Sequence, residues 1–164
     1  MSAPIEVLLR RQNPQFLEGL DAGDIKTILG AGTLQRFSAG AVVISHGYPA
    51  GHVFLLLTGR ARRFFLTQDG QKIVLLRVLA GDIFGEIAML DRPANYLLST
   101  ETVTNSSTLV WSRSTIRSLC ARYPRLIKNS RLERDCGHLP AQRSRSGHGT
   151  PAWRLQRASR WSLR

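Results

Sequence analysis

The chain predicts a mainly β fold, an antiparallel sandwich or barrel with α-helices at its ends. Three observations carry this expectation. From Thr33 to Leu79 the sequence is a succession of short runs rich in Val, Ile, Phe and Leu. Glycine-bearing turns punctuate these runs at a spacing of about 8 to 12 residues, as hairpin-built folds require. Apolar residues recur at helical spacing only in the first thirty residues, in a short run at 87–90 and in the stretch after Ser112.

The first element is "PIEVLLRR", where Pro4 suits a first helical turn. "NPQFLEGL" comes next, with Asn13 expected as the cap before Pro14. In "DAGDIKTILG", Ile25, Ile28 and Leu29 share one helical face, and Gly30 and Gly32 end the helix. The strands then read "TLQRF", "AVVISHG", "VFLLLTG", "RARRFFLT" and "QKIVLLRVL". Between the last two, Asp69-Gly70 predicts a tight two-residue hairpin turn. On the strand before that turn, Arg62 and Arg63 are consecutive and so must point to opposite faces, with surface solvation the expectation for both. Further strands read "YLLSTETV" and "STLVWS". Ser112 then caps a helix that buries Ile116, Leu119 and Cys120, Pro124 interrupts it, and "RLIKNSRL" opens another.

Composition narrows the function. The 43% hydrophobic and 21% charged fractions of this 164-residue chain are those of one soluble globular domain. No apolar run approaches the roughly 18 residues that span a bilayer, and the N-terminus lacks the basic region of a signal peptide. Two cysteines, Cys120 and Cys136, make no disulfide framework, so the expected compartment is the reducing cytoplasm. The net charge is +12, and half of it sits on residues 131–164, an Arg/Ser/Gly-rich, lysine-free stretch with no apolar period. That segment is expected to be a disordered tail with nonspecific affinity for anionic surfaces. No Ser–His–Asp set and no converging carboxylates are evident, and His46 and His52 lack metal-ligand spacing, so neither an enzyme nor a metal protein is expected.

One stretch stands apart. In "GDIFGEIAMLDRP" a glycine-framed apolar segment runs into Gly85-Glu86, and a one-turn helix of Ile87, Ala88, Met89 and Leu90 comes after it. A helix start presents unpaired backbone N–H groups, which suit a phosphate or another anion.

The series Phe37, Gly40, Gly47, Leu57-Thr58-Gly59, Asp69-Gly70, Leu79, Gly81-Asp82 and Phe84-Gly85-Glu86 resembles the cyclic-nucleotide-binding domain of the Crp/Fnr transcription regulators of bacteria. The resemblance covers roughly residues 15–130, with N-terminal helices from about residue 5. It implies a jelly-roll barrel, a double-stranded β-helix, with flanking α-helices. It also makes the stretch after Gly81 the phosphate-binding cassette, in which Glu86 accepts a hydrogen bond from a ribose 2′-hydroxyl. The implied ligand is cyclic AMP or cyclic GMP, and the candidate ligand-binding residues are Phe84, Gly85, Glu86, Ile87, Ala88, Arg92, Tyr96 and Leu97.

The chain departs from that pattern at one decisive place. Cyclic-nucleotide binders of the family carry an arginine and then a small residue after the short helix, where this chain has Tyr96 and Leu97. Losing a charge-assisted phosphate contact costs roughly 1.5–3 kcal/mol, about tenfold to more than a hundredfold in affinity. Arg92, four residues earlier, is the remaining candidate cation. The family also continues into a dimer helix and a helix-turn-helix. Here the helix starting near Tyr123 loses its apolar stripe at about Ser130, as in a truncated or frame-shifted gene. The expectation is an effector-sensing domain without its DNA reader, a homodimer at most through the Tyr123 helix, with no specific DNA binding. The alternatives are a stand-alone module acting on a partner protein and a non-functional fragment.

Overall fold

The computed structural model describes residues 3–130. Segment 131–164, with Cys136 and the continuation of the expected dimer helix, lies outside the described residues. Helix α1 (Ala3–Gln12) opens the chain, with Pro4 in its first turn as expected. Asn13 does not cap the next helical turn. It closes α1 instead, at φ 42°, with its N–H on the Leu9 carbonyl at 2.9 Å. Pro14 bars residue 13 from right-handed helix, and asparagine tolerates the left-handed region better than most residues. A single 3₁₀ turn (Gln15–Leu17) then leads to α2 (Ala22–Gly30), which Asp21 caps by accepting the Asp24 N–H at 2.8 Å.

Eight strands come next, seven of them on the expected runs and in the expected order. They are β1 (Thr33–Phe37), β2 (Val42–Ile44), β3 (His52–Thr58), β4 (Arg60–Leu66), β5 (Lys72–Leu79), β6 (Ile83–Phe84), β7 (Ser99–Thr102) and β8 (Ser106–Ser112). They form two four-stranded antiparallel sheets, ordered β1-β8-β3-β6 and β2-β7-β4-β5. Apart from the β4–β5 hairpin, consecutive strands alternate between the sheets, the interleaving of a jelly roll. The fold is therefore mainly β, with helices at its ends. The turn between β4 and β5 is longer than expected. Thr67 and Gln71 close it through an N–H to carbonyl bond of 2.9 Å, leaving three loop residues with Gly70 at φ 78°. A right-handed turn ending in a left-handed glycine is the usual three-residue solution, and Asp-Gly serves it as well as the two-residue one.

The core lies between the sheets and under the helices. Trp111 is fully buried, 6.0 Å from the Phe16 ring, and its indole N–H donates to the Ile28 carbonyl at 2.8 Å. One side chain thus ties β8 to the 3₁₀ turn and to α2. Helix α3 (Arg113–Arg122) starts from the Ser112 cap and buries Ile116, Leu119 and Cys120, and α4 (Arg125–Asn129) begins just after Pro124. Burial lifts the Cys120 thiol to about 11, which marks an unreactive packing residue.

The second sheet carries one buried acid. Glu101 of β7 takes Arg62 Nη2 at 2.6 Å and Lys72 Nζ at 2.7 Å. Burial pushes its carboxyl up, but hydrogen bonds and charge attraction from Lys72 and Arg62 outweigh that and hold it below the ordinary carboxylate value. A depressed folded value gives stability that is present above the unfolded value and lost as pH falls through the folded one. Urea denaturation of wild type and Glu101→Gln should therefore show a clear stability gap at neutral pH that narrows on acidification below about pH 4. A gap that stays constant with pH would remove the electrostatic account.

Candidate functional site

Gly85 ends β6 at φ 81°, a conformation that L side chains resist. A Cβ at this position would stand 2.7 Å from the His52 carbonyl oxygen. The chain can make this corner only without a side chain, and the corner turns Glu86 inward. Residues Glu86–Met89 form one 3₁₀ turn, with the Ala88 N–H on the Gly85 carbonyl at 3.1 Å. The far end of the turn is held from α3. Arg113 Nη1 donates to the Ala88 and Leu90 carbonyls at 2.8 Å each, and Nη2 to the Asp91 carbonyl at 3.0 Å. These carbonyls would otherwise be the unpaired end of the turn. The cassette is thus clamped to the helix that leads toward the C-terminus.

Glu86 is 6% exposed and faces a cavity of about 80 Å³. Val78 and Ile83 form apolar parts of the wall, Asn129 of α4 also lines it, and Arg63 and Arg77 bring positive charge. Arg63 Nη1 lies 3.5 Å from Glu86 Oε2, and its side chain is 14% exposed. The two consecutive arginines of β4 do point to opposite faces: Arg62 meets Glu101 on one, Arg63 meets Glu86 on the other. Gln15 and Phe16 of the N-terminal 3₁₀ turn also border the cavity, so its wall is assembled from segments distant in sequence.

Of the eight residues selected from sequence, Glu86 alone lines this cavity. Phe84 stacks on Phe54 at 4.9 Å and, like Ala88, is part of the core, while Ile87 is half-buried against that core. Arg92 and Leu97 are exposed, and neither reaches the cavity. Tyr96 is buried elsewhere. Its hydroxyl donates to the His52 carbonyl at 2.8 Å and accepts the His52 N–H at 2.9 Å, and burial pushes the phenol up. That anchoring shortens β7, which begins at Ser99 and not at Tyr96 as the apolar run suggests. Arg77, Asn129 and Gln15 carried no signal in the sequence. Arg63 was expected at the surface; the alternation of tandem arginines on a strand was the signal that could have placed one of them inward.

Comparison with known proteins bears on the family and the fold. The family model described as "Cyclic nucleotide-binding domain" matches residues 34–123. Mouse cGMP-dependent protein kinase 2 is 31% identical over 108 residues, 66% of this chain and 13% of the kinase. The chain thus matches only a small part of that relative. Among solved structures, the Thermus thermophilus catabolite activator protein superposes with a TM-score of 0.66 at 22% identity, covering 75% of this chain and 56% of that one. The regulatory subunit of a cAMP-independent protein kinase A from Trypanosoma brucei superposes at 0.65 with 20% identity, covering 80% and 49%. The sensor domain of the Pseudomonas aeruginosa transcriptional regulator DNR superposes at 0.65 with 22% identity, covering 84% and 97%.

Proposed function

Because the chain belongs to the cyclic nucleotide-binding domain family, we propose that it is the effector-sensing part of a cytoplasmic Crp/Fnr-type transcription regulator and is not an enzyme. The observation that carries this reading is Glu86, a buried carboxylate turned by a left-handed glycine toward a cavity. Such a carboxylate is placed to accept hydrogen bonds from a small polar ligand. The likeness to a catabolite activator protein and to a regulator's free-standing sensor domain supports the regulator assignment. The Arg113 clamp supplies a route by which a change at the cassette reaches α3 and the chain beyond it.

Cyclic AMP and cyclic GMP are weak ligands in this reading. The position of the phosphate arginine is taken by Tyr96, whose hydroxyl is committed to the His52 backbone, and Arg92 is exposed to solvent. The 31% identity to a cGMP-dependent kinase favours a second reading, in which the domain modulates a partner protein without touching DNA.

Thermal shift of wild type and Glu86→Ala against a panel of nucleotides and small organic acids tests the site. An effector present at about 100 times its dissociation constant stabilises the native state by about 2.7 kcal/mol. The expected result is a wild-type shift that Glu86→Ala abolishes. An equal shift in both proteins would place binding elsewhere and refute the assignment. A gel-shift of the full chain with genomic DNA fragments at about 150 mM salt tests for DNA recognition, and only nonspecific binding that fades with salt is expected. Sequence-selective retention would overturn the expectation that this chain binds no specific DNA sequence.

A further inference from the structure

We propose that Arg63 is the specificity-determining residue of this pocket, a built-in occupant that keeps cyclic nucleotides off Glu86. The inference rests on the reading of Glu86 as the effector-binding carboxylate. It concerns a residue that neither the cassette motif nor the missing phosphate arginine brings into view.

Arg62 and Arg63 alternate across β4, and the outer one is committed to Glu101. The inner one, Arg63, is carried under the sheet, 14% exposed, with Nη1 at 3.5 Å from the one cassette carboxylate. Both partners line the same cavity. The guanidinium therefore stands where a ligand hydroxyl would have to donate to Glu86. The space left beside it is about 80 Å³, whereas pockets for drug-sized ligands begin at about 300 Å³. A sugar ring reaching Glu86 must first displace Arg63, which separates two low-exposure opposite charges. Breaking such a pair from one side is costly, because the abandoned charge stays buried. Cyclic nucleotides thus meet two separate obstacles in this chain. One is the absent phosphate cation at Tyr96 and Leu97. The other is a carboxylate already engaged from within.

The same geometry limits what could enter. A ligand that exchanges for the guanidinium must bring an anionic group for Arg63, and a donor for Glu86. Arg77, on the same cavity wall, adds a second positive charge. The fitting class is a small oxyanion carrying a hydroxyl or amino group, smaller than a nucleotide.

Titration with fluorescent cyclic AMP and cyclic GMP, using the full chain, tests the occupant. Four proteins are compared: wild type, Tyr96→Arg/Leu97→Ala, and that pair combined with either Arg63→Val or Arg63→Gln. The glutamine retains an N–H donor for Glu86 and protects against loss of the fold, which a melting transition verifies for each variant. Restoring the phosphate cation alone should gain no more than about tenfold, and removing Arg63 as well should add about a hundredfold or more. If Tyr96→Arg/Leu97→Ala already binds as tightly as the folded triple variants, Arg63 excludes nothing and the proposal is overturned. It is overturned equally if the folded triple variants gain no affinity over the pair, or bind more weakly. Adding Glu86→Ala to a binding-competent triple variant separates this claim from the reading beneath it. Affinity should collapse; if it persists, the Glu86 assignment is what fails.

Discussion

Replacing Trp111 by alanine lowers the unfolding free energy by about 3–5 kcal/mol, the largest loss expected of any single core truncation here. The indole is fully buried at the junction of β8, the N-terminal 3₁₀ turn and α2. Removal leaves a cavity that three separate segments would have to collapse into. It also leaves the Ile28 carbonyl without its 2.8 Å donor, and an orphaned buried acceptor adds about 1–3 kcal/mol. Trp111→Phe retains most of the ring volume and loses the N–H, so it should cost nearer that second figure. Urea denaturation of the three proteins separates packing from hydrogen bonding. A Trp111→Ala loss below about 1.5 kcal/mol would mean that the helices are not held to the barrel by this residue.

Gly85→Ala carries the second large effect, about 2–5 kcal/mol, and it falls on the cassette. The left-handed backbone costs a non-glycine residue about 1–2 kcal/mol. The new Cβ would meet the His52 carbonyl at 2.7 Å and Phe54 at 3.4 Å, both fixed in β3, and such overpacking adds about 1–3 kcal/mol. Gly70→Ala is the matched control. Its φ of 78° is nearly the same, yet open space surrounds it. The difference between the two substitutions isolates the clash from the backbone strain. Equal losses would show that β3 yields to the intruding methyl group. Because the backbone corner turns Glu86 inward, Gly85→Ala should also impair effector binding more than its stability loss accounts for, as read by ligand titration well below the melting temperature.

Most of the architecture was legible from local pattern. Seven of the eight strands fall on the apolar runs, and Ser112 caps the helix that begins beside it. Two of the local errors share a cause, a residue with two acceptable roles. Asn13 suits a helix start and a left-handed stop, and the fixed ring of Pro14 decided for the stop. Asp69-Gly70 suits a two-residue and a three-residue turn, and the pairing of Thr67 with Gln71 decided for the longer one.

The candidate site was legible in a narrower sense. Its anchor, Gly85-Glu86, is a contiguous motif, and contiguous motifs can be read directly. Its wall is not contiguous. Arg63, Arg77, Asn129 and Gln15 come from β4, β5, α4 and the N-terminal 3₁₀ turn. Neighbours of Glu86 in sequence were selected, and most of them went elsewhere: Phe84 and Ala88 into the core, Arg92 and Leu97 to solvent, Tyr96 onto the His52 backbone.

By itself the sequence determined the order of strands and helices, the glycine corner and the carboxylate beside it. Those depend on periodicity and on backbone freedom, which act between near neighbours. Only the tertiary structure decided which charge faces that carboxylate. The partner is brought across two sheets by strand register, and alternation along β4 puts the two arginines on opposite faces without saying which is buried or what it will meet.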